Sequence, residues 1–293
     1  MKPSHSPPRS KRAPGEGAHG CLVLVATPIG NLGDITARAL EGLKAADLIA
    51  CEDSRVTATL LRHAGIEKPL LPYHDHNAEA MRPKLLARIA AGERVALVSD
   101  AGTPLISDPG YKLVRAAVEA GLDVTMLPGP SAPVMALALS GLPSDRFLFG
   151  GFLAAKSKAR RAEIAEAARA PVTLVFFETA PRLLDSLRDL QAVLGDRHAA
   201  VARELTKLFE EVRRDRLSAL IAHYEAAGAP KGEIVIVVGP PEEEAVSAED
   251  LDTLLRRALQ SLSVKDAAAT VAAATGAPKR TVYARALELM GEK

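Results

Sequence analysis

Short, β-rich apolar runs recur along the chain, separated by stretches with helical periodicity. LVLVA (22–26), LIAC (48–51), VALVS (95–99) and VTML (124–127) are continuous rather than alternating, as expected of strands buried on both faces. Between the first two, ITARALEGLKAA places Ile35, Ala39, Leu40 and Leu43 on one helical face, with Asp34 as the expected N-cap. Strands alternating with amphipathic helices predict an α/β sheet with helices on both faces.

The pattern resumes after Gly141. TLVFF (173–177), AAVA (199–202) and the buried run inside KGEIVIVVGPP (231–241) read as strands. Residues 181–195 form an amphipathic helix with Leu183, Leu184, Leu187, Leu190 and Leu194 on one stripe and Gly195 as its stop. A domain boundary is expected near 140–150, giving α/β domains over 21–140 and 141–241. The stretch from Glu242 to Asp252 holds six acids and no base and reads as a linker.

Behind it lies a small helical unit, so that 242–293 combines linker and terminal domain. Ser247 with Asp250 makes a capping-box pattern before Leu251, Leu254, Leu255, Ala258, Leu259 and Leu262. Ser263 with Asp266 opens a second helix that Gly276 stops, and PKRTVYARALELM forms a third. This is a helix-turn-helix pattern. Its third helix, opening with Lys279 and Arg280, either touches nucleic acid or belongs to a packed three-helix cap.

Composition removes several classes. Residues 1–20 carry four prolines, four Lys or Arg and no apolar run, so they read as a disordered basic tail and not as a signal peptide. Gly15, Gly17 and Gly20 spell GxGxxG there, but no strand precedes them, and the dinucleotide reading is rejected. No run of eighteen apolar residues spans a bilayer. Cys21 and Cys51 form neither CxxC nor a disulfide framework and read as small buried residues in a reducing cytoplasm. Aromatic residues make up 3% of the chain, with no Trp, which disfavours modules that stack bases on exposed rings.

Ligands of open α/β sheets bind beyond the carboxyl ends of the strands. Four runs here end in Thr27–Asn31, Glu52–Arg55, Ser99–Pro104 and Leu127–Ala132, rich in Gly, Pro and Asp. Gly and Pro let the backbone approach a ligand closely. No loop reads GxxxxGK[ST], so a nucleoside triphosphate is not expected, and a ligand with sugar, base and amino-acid parts suits these loops better. His74-Asp75-His76 lacks a third metal ligand and reads as a polar loop. There is no GxSxG or Cys/His nucleophile pattern. Lys156, Lys158, Arg160 and Arg161 place four charges in six residues, either a solvated face or a grip on an RNA backbone. Arg203, Glu204, Lys207 and Glu211 form a mixed group that fits surface ion pairs equally well.

TPIGNLGDIT, CEDSR, HDHN, VSDAGTPLISDPG, PGPSA, GLPSDRF, KSKARR, RELTK and KGE occur in this order. The series resembles the ribosomal RNA small subunit methyltransferase I family of the tetrapyrrole-methylase superfamily, over about residues 22–293. The resemblance implies two α/β domains with S-adenosylmethionine in the cleft between them, a homodimer, and a C-terminal helix-turn-helix domain. It implies methylation of the ribose 2′-hydroxyl of a decoding-centre cytidine of 16S rRNA, cytidine 1402 in the usual numbering. By position it implies cofactor contacts from Pro28, Ile29, Gly30, Asp100, Ala101, Gly102, Thr103, Pro104, Ser131, Ala132, Phe177 and Leu205. Two departures stand out: Pro181 replaces a frequent His, and Ala154 a family Pro.

A 2′-hydroxyl is a poor acid, so a carboxylate or neutral Lys near it would help as general base. Glu178, Asp53, Glu52 and Lys207 are the candidates, each with a structural role as the alternative. Two other functions fit parts of the pattern. A methyltransferase acting on a corrin or porphyrin precursor leaves KSKARR and the terminal helices unused. A non-catalytic nucleic-acid-binding protein leaves the four loops unexplained. The net charge of +1 hides segregation: the acidic stretch carries −6, which leaves +7 elsewhere, so the neutral sum does not argue against RNA.

Overall fold

The computed structural model describes residues 20–242 and 248–291, with side chains of 248–250 left aside. The basic tail, its Gly15 and Gly17, the Ser247–Asp250 capping box and the centre of the acidic stretch lie outside the described residues. The chain divides into two compact units, one ending at Pro241 and one starting at Glu242.

The first unit opens with five parallel strands: β1 (Cys21–Val25), β2 (Leu48–Cys51), β3 (Leu70–Pro72), β4 (Arg94–Val98) and β5 (Asp123–Leu127), in the spatial order β3-β2-β4-β1-β5. Every residue of β1 and β2 is buried. Alternate β1 residues serve opposite faces. Cys21, Val23 and Val25 pack with Ala39 and Leu43 of α1 (Ala37–Ala45) and Leu61 of α2 (Ser54–His63). Leu22 and Leu24 pack with Leu85 and Ile89 of α3 (Ala78–Ala90) and Leu113 and Ala117 of α4 (Tyr111–Glu119). Helices on both faces are the reason these runs are continuous rather than alternating. The edges differ. β3 is short and carries Pro72, which has no donor for a further strand. β5 leaves Thr125 and Met126 exposed.

Asp34 is not the N-cap expected for α1. It ends a single 3-10 turn at Leu32–Asp34, where the Asn31 side chain accepts the Gly33 N–H, and Thr36 caps α1 by accepting the Ala39 N–H. The GNLG sequence favours this tight turn, which pushes the helix start beyond Ile35.

After α5 (Ala132–Ser140) the chain builds a mixed sheet from β6 (Phe147–Phe152), β7 (Thr173–Thr179), β8 (His198–Arg203), β9 (Glu211–Arg216) and β10 (Glu233–Val238). Their order is β6-β7-β10-β8-β9, with only β6 and β7 parallel. One face packs Leu174, Phe176, Ile234 and Ile236 against α6 (Ser157–Ala167), α7 (Leu183–Leu194) and α8 (Leu217–Ala227). The other face packs Val175, Ala200, Ala202, Val235 and Val237 against Ala136 and Leu137 of α5, and against Ile29 and Leu205. Helix α5 and the loop after β1 thus line the second sheet, which joins both halves into one unit.

The terminal unit contains α9 (Ala248–Ala258), α10 (Val264–Thr275) and α11 (Lys279–Gly291) around Leu255, Ala268, Val271, Val282, Ala286 and Leu289. Ser263 caps α10, and Gly276 ends it in the left-handed conformation. The acidic stretch is not linker as far as Asp252. Helix α9 already begins at Ala248, and both Asp252 oxygens accept from Arg285 of α11, at 2.7 and 2.5 Å. Among the described residues, no helix is long and apolar enough to cross a membrane.

Candidate active site

Strands β4, β1 and β5 are neighbours, so three loops leave the same edge of the first sheet together. Hydrogen bonds stitch them. The Thr27 N–H donates to Gly102 O at 2.9 Å, and the Gly102 N–H returns to Thr27 O at 3.1 Å. The Thr27 hydroxyl donates to Ser99 O, and the Thr103 hydroxyl to Pro130 O. Leu105 (φ 74°) and Ser107 (φ 66°) are left-handed without being glycine. Across from them, the turn after β8 holds Glu204 (φ 50°) and Thr206 (φ 66°) in the same region. Such conformations cost about 1–3 kcal/mol each and persist where the surroundings over-determine them.

Between these loops and the second sheet lie two cavities. The first, of about 380 Å³, is lined from the first sheet's loops by Ile29, Ala101–Thr103, Ile106–Asp108 and Ser131–Pro133. The second sheet contributes Phe152, Phe177–Thr179, Ala202, Leu205 and Gly232–Val235. The second cavity, of about 400 Å³, is lined by Thr27–Gly30, Leu32, Val56, Thr57, Thr59, Leu60, Ser99–Ala101, Lys207 and Glu233. Ile29, Ala101 and Glu233 belong to both.

Of the expected cofactor residues, Ile29, Ala101, Gly102, Thr103, Ser131, Ala132, Phe177 and Leu205 line the first cavity. Pro28, Gly30 and Asp100 line the second, together with Ile29 and Ala101. Pro104 is buried and lines neither. The sequence reading did not single out Ile106, Ser107, Asp108, Phe152 or the start of β10. Strand β10 runs antiparallel to β7 and β8, so its amino end meets their carboxyl ends. A rule that looks only beyond carboxyl ends passes over it. Its one signal was the KGE string.

A charged clasp within the second half closes against Gly30 of the first. Lys207 Nζ donates to Glu204 Oε1 and Glu233 Oε2, each at 2.8 Å, and Glu204 Oε1 also accepts the Glu233 N–H at 3.0 Å. Glycine is required at two points. A Cβ on Gly30 would come within 2.4 Å of Lys207 Cε, and one on Gly232 within 2.3 Å of Glu204 Oε1. Burial alone would lower the Lys207 pKa, but the two carboxylates outweigh it and raise it. Lys207 is therefore a fixed cation and not the neutral lysine base considered from sequence.

The other base candidates fare unequally. The Glu178 side chain is 0% exposed. Its carboxylate accepts from the Thr179 N–H, the Ser186 hydroxyl and Arg182, so it is a buried anchor for the start of α7. Asp53 caps α2 and chelates Arg55, whose guanidinium and N–H hold its pKa at about 2. Glu52 is half-buried, and burial followed by the charges of Asp100, Asp108, Asp75 and Asp53 raises its pKa. Burial also raises that of Asp108, opposed by a hydrogen bond from Ser99.

The basic run is corrected at one position. Lys156, Lys158 and Arg161 are exposed, but Arg160 is 4% exposed and turned inward. Its Nε donates to Asp189 Oδ2 at 2.7 Å, while the Arg161 Nε and the Ser157 hydroxyl hold Oδ1. On an amphipathic helix one residue of KSKARR must face the core, and Arg160 does. In the terminal unit Lys279 and Arg280 are exposed at the start of α11. The rings of His74 and His76 lie 5.9 Å apart, and the described residues contain no group of metal-capable side chains.

The tetrapyrrole (corrin/porphyrin) methylase family matches residues 21–221, and the RsmI C-terminal HTH domain matches residues 244–290. A relative from Erythrobacter litoralis named ribosomal RNA small subunit methyltransferase I is 54% identical, covering 92% of this chain and 95% of its own. Proteins of that name from Mesorhizobium japonicum and Escherichia coli O157:H7 are 52% and 49% identical, covering 92% and 94% of this chain and 92% and 98% of theirs. The chain belongs to the ribosomal RNA small subunit methyltransferase I family. Solved structures share the fold of this chain at lower identity. Diphthine synthase superposes with a TM-score of 0.59 at 18% identity over 74% of this chain and 90% of its own. Cobalt precorrin-4 methyltransferase gives 0.58 at 19%, over 77% and 97%. In this chain the tetrapyrrole methylase match ends at Ile221, before β10, although β10 supplies Glu233, Ile234 and Val235 to the first cavity.

Proposed function

We propose that this chain methylates the ribose 2′-hydroxyl of a cytidine in 16S rRNA, cytidine 1402, with S-adenosylmethionine bound in the first cavity. The observation that carries the reading is that cavity, built where three adjacent strand ends face the second sheet. Its size is that of small-ligand sites. The donor has a flat base, a ribose and a zwitterionic amino-acid tail. Ile29, Phe152, Phe177 and Leu205 offer apolar walls to the base. Thr103, Ser107, Asp108 and Ser131 offer polar groups to the sugar and tail. The residues fit.

When bound, the donor supplies a methyl on positively charged sulfur, whose transfer to a hydroxyl oxygen leaves a neutral thioether and frees one proton. The protein's part is to position and to receive that proton. Strained, hydrogen-bonded loops suit positioning, because they do not rearrange at the moment of reaction. Glu178 and Asp53 are engaged in structure and Lys207 is cationic. Asp100 lines the second cavity next to Ala101, with Oδ1 accepting the Asp53 N–H at 2.9 Å, and is the carboxylate we assign, beside Glu52, to take the proton.

The relatives that carry the RNA reading match along nearly the whole chain, whereas the corrin-type enzymes share only the fold. We place the protein in the cytoplasm, where its buried thiols stay reduced, and as a homodimer. Calorimetry with S-adenosylmethionine, followed by mapping of ribose methylation on unmethylated small subunits, tests the proposal. One new methyl at the stated cytidine is expected. Binding without RNA methylation overturns the substrate, and absence of binding overturns the donor.

A further inference from the structure

Eight of the twelve expected donor residues line the first cavity; the second, which takes Pro28, Gly30 and Asp100, shares a wall with it through Ile29, Ala101 and Glu233. Its character also differs. Thr27, Thr57, Thr59, Ser99, Asp100 and Lys207 give it a polar interior. Leu32 and Val56, 37% and 44% exposed, line it as apolar residues that no protein core covers. An open, polar pocket with uncovered apolar side chains suits a ligand with one flat face and several hydroxyls.

From this we infer that the second cavity receives a single ribonucleoside of the RNA, extruded from its stack. The base packs on Leu32 and Val56, the sugar lies toward Lys207, and the flanking phosphates stay outside the cavity. The inference rests on the donor occupying the first cavity, as proposed above. Taking one nucleotide out of its stack isolates its ribose hydroxyl from its neighbours, and a snug pocket repays part of the unstacking cost. Aromatic side chains are not required. With Lys207 held by Glu204 and Glu233, its charge is fixed in place before RNA arrives. The shared wall is made of Ala101, Ile29 and Glu233. A hydroxyl in one cavity can therefore meet a methyl in the other.

Two substitutions test the pocket in the full-length protein. Val56→Trp fills the second cavity. It is expected to lower kcat/KM for RNA methylation at least about 100-fold, the scale for misplacing a reacting group, with S-adenosylmethionine affinity and thermal midpoint unchanged. Val56→Cys adds one accessible thiol, because Cys21 and Cys51 are buried, with Thr59→Cys as a second probe of the same cavity. Unmethylated small-subunit rRNA at about ten times its dissociation constant should slow alkylation by iodoacetamide roughly tenfold, and S-adenosylhomocysteine should not. Ile106→Cys, in the first cavity, should show the reverse preference for S-adenosylhomocysteine. If Val56→Trp methylates RNA normally, or S-adenosylhomocysteine protects Val56→Cys as well as RNA does, the inference is overturned. If S-adenosylhomocysteine fails to protect Ile106→Cys, the donor reading falls instead, whatever the Val56 variants show.

Discussion

Replacing Asp189 by Asn should unfold the second half of the first unit far more easily. The carboxylate is 5% exposed and is shared by Arg160, 4% exposed, and Arg161, 54% exposed. Asn keeps the shape and removes the charge, leaving the Arg160 guanidinium buried with only the carbonyls of Ala154 and Ala155, at 3.4 and 3.3 Å. Breaking a buried pair in this way costs about 3–5 kcal/mol, because the remaining charge has no counterpart. The exposed Arg161 contact contributes about 1 kcal/mol or less. At about 2–4 °C per kcal/mol for a unit of this size, the midpoint should fall by roughly 6–20 °C. Far-UV circular dichroism during heating reads this directly. Arg161→Ala is the control and should stay within about 1 kcal/mol. The pH dependence follows the same contact. Burial alone would push the Asp189 pKa up, but hydrogen bonds from Arg161, Arg160 and Ser157 hold it below the usual carboxylate range. A lowered folded-state pKa stabilises above the unfolded value of about 3.9, and the contribution is lost as pH falls through the folded value. Parent and variant midpoints should therefore converge in strong acid. A variant within about 1 kcal/mol of the parent at pH 7 would refute the argument that Arg160 is a core residue.

Three further outcomes are expected. Lys156→Ala and Lys158→Ala should each reduce the slope of log affinity for rRNA against log salt by about 0.7–0.9, the value for one phosphate contact, whereas Arg160→Met should leave it unchanged. Gly30→Ala, which drives a methyl into the Lys207 stem, should raise KM for RNA, and an unaltered KM would show that the clasp is not part of the site. Because the folded pKa of Lys207 is raised, its charge persists until pH passes the ordinary lysine value of about 10.4. A pH–rate profile should therefore show no alkaline loss assignable to it below that point, and a limb near pH 8 that disappears in Lys207→Arg would contradict this.

How much of this was legible depends on what each element buries. The strands β1, β2 and β4, covered on both faces, appear in the sequence as unbroken apolar runs. Strand β9, EVRRDR, does not, because it is a sheet edge with Arg213, Arg214 and Arg216 along it, and charge is how edges avoid pairing with other chains. Strand β6 was hidden by Gly150 and Gly151, where the pairing register shifts and Gly151 turns left-handed. The loops of the first sheet were legible through Gly, Pro and Asp. Of the second sheet's share, Phe177 and Leu205 came through the resemblance, but the start of β10 was not legible, since antiparallel strands bring amino and carboxyl ends to one edge. Arg160 was misread because a run of like charges gives no hint of which one a helix turns inward.

The site also resolves an electrostatic conflict that composition leaves open. RNA is a polyanion, yet Glu52, Asp53, Asp75, Asp100 and Asp108 lie near enough to one another for their charges to raise the Glu52 pKa. Phosphates drawn deep among these carboxylates would be repelled. A nucleoside entering base and sugar first presents no charge to them, while its flanking phosphates stay outside with Lys156 and Lys158 exposed on the same unit. At the cavity itself the one fixed cation is Lys207, and two carboxylates already bind it, which weakens its pull on phosphate and favours a role in holding geometry. Acid inside and base outside therefore favour an extruded nucleoside over a bound backbone.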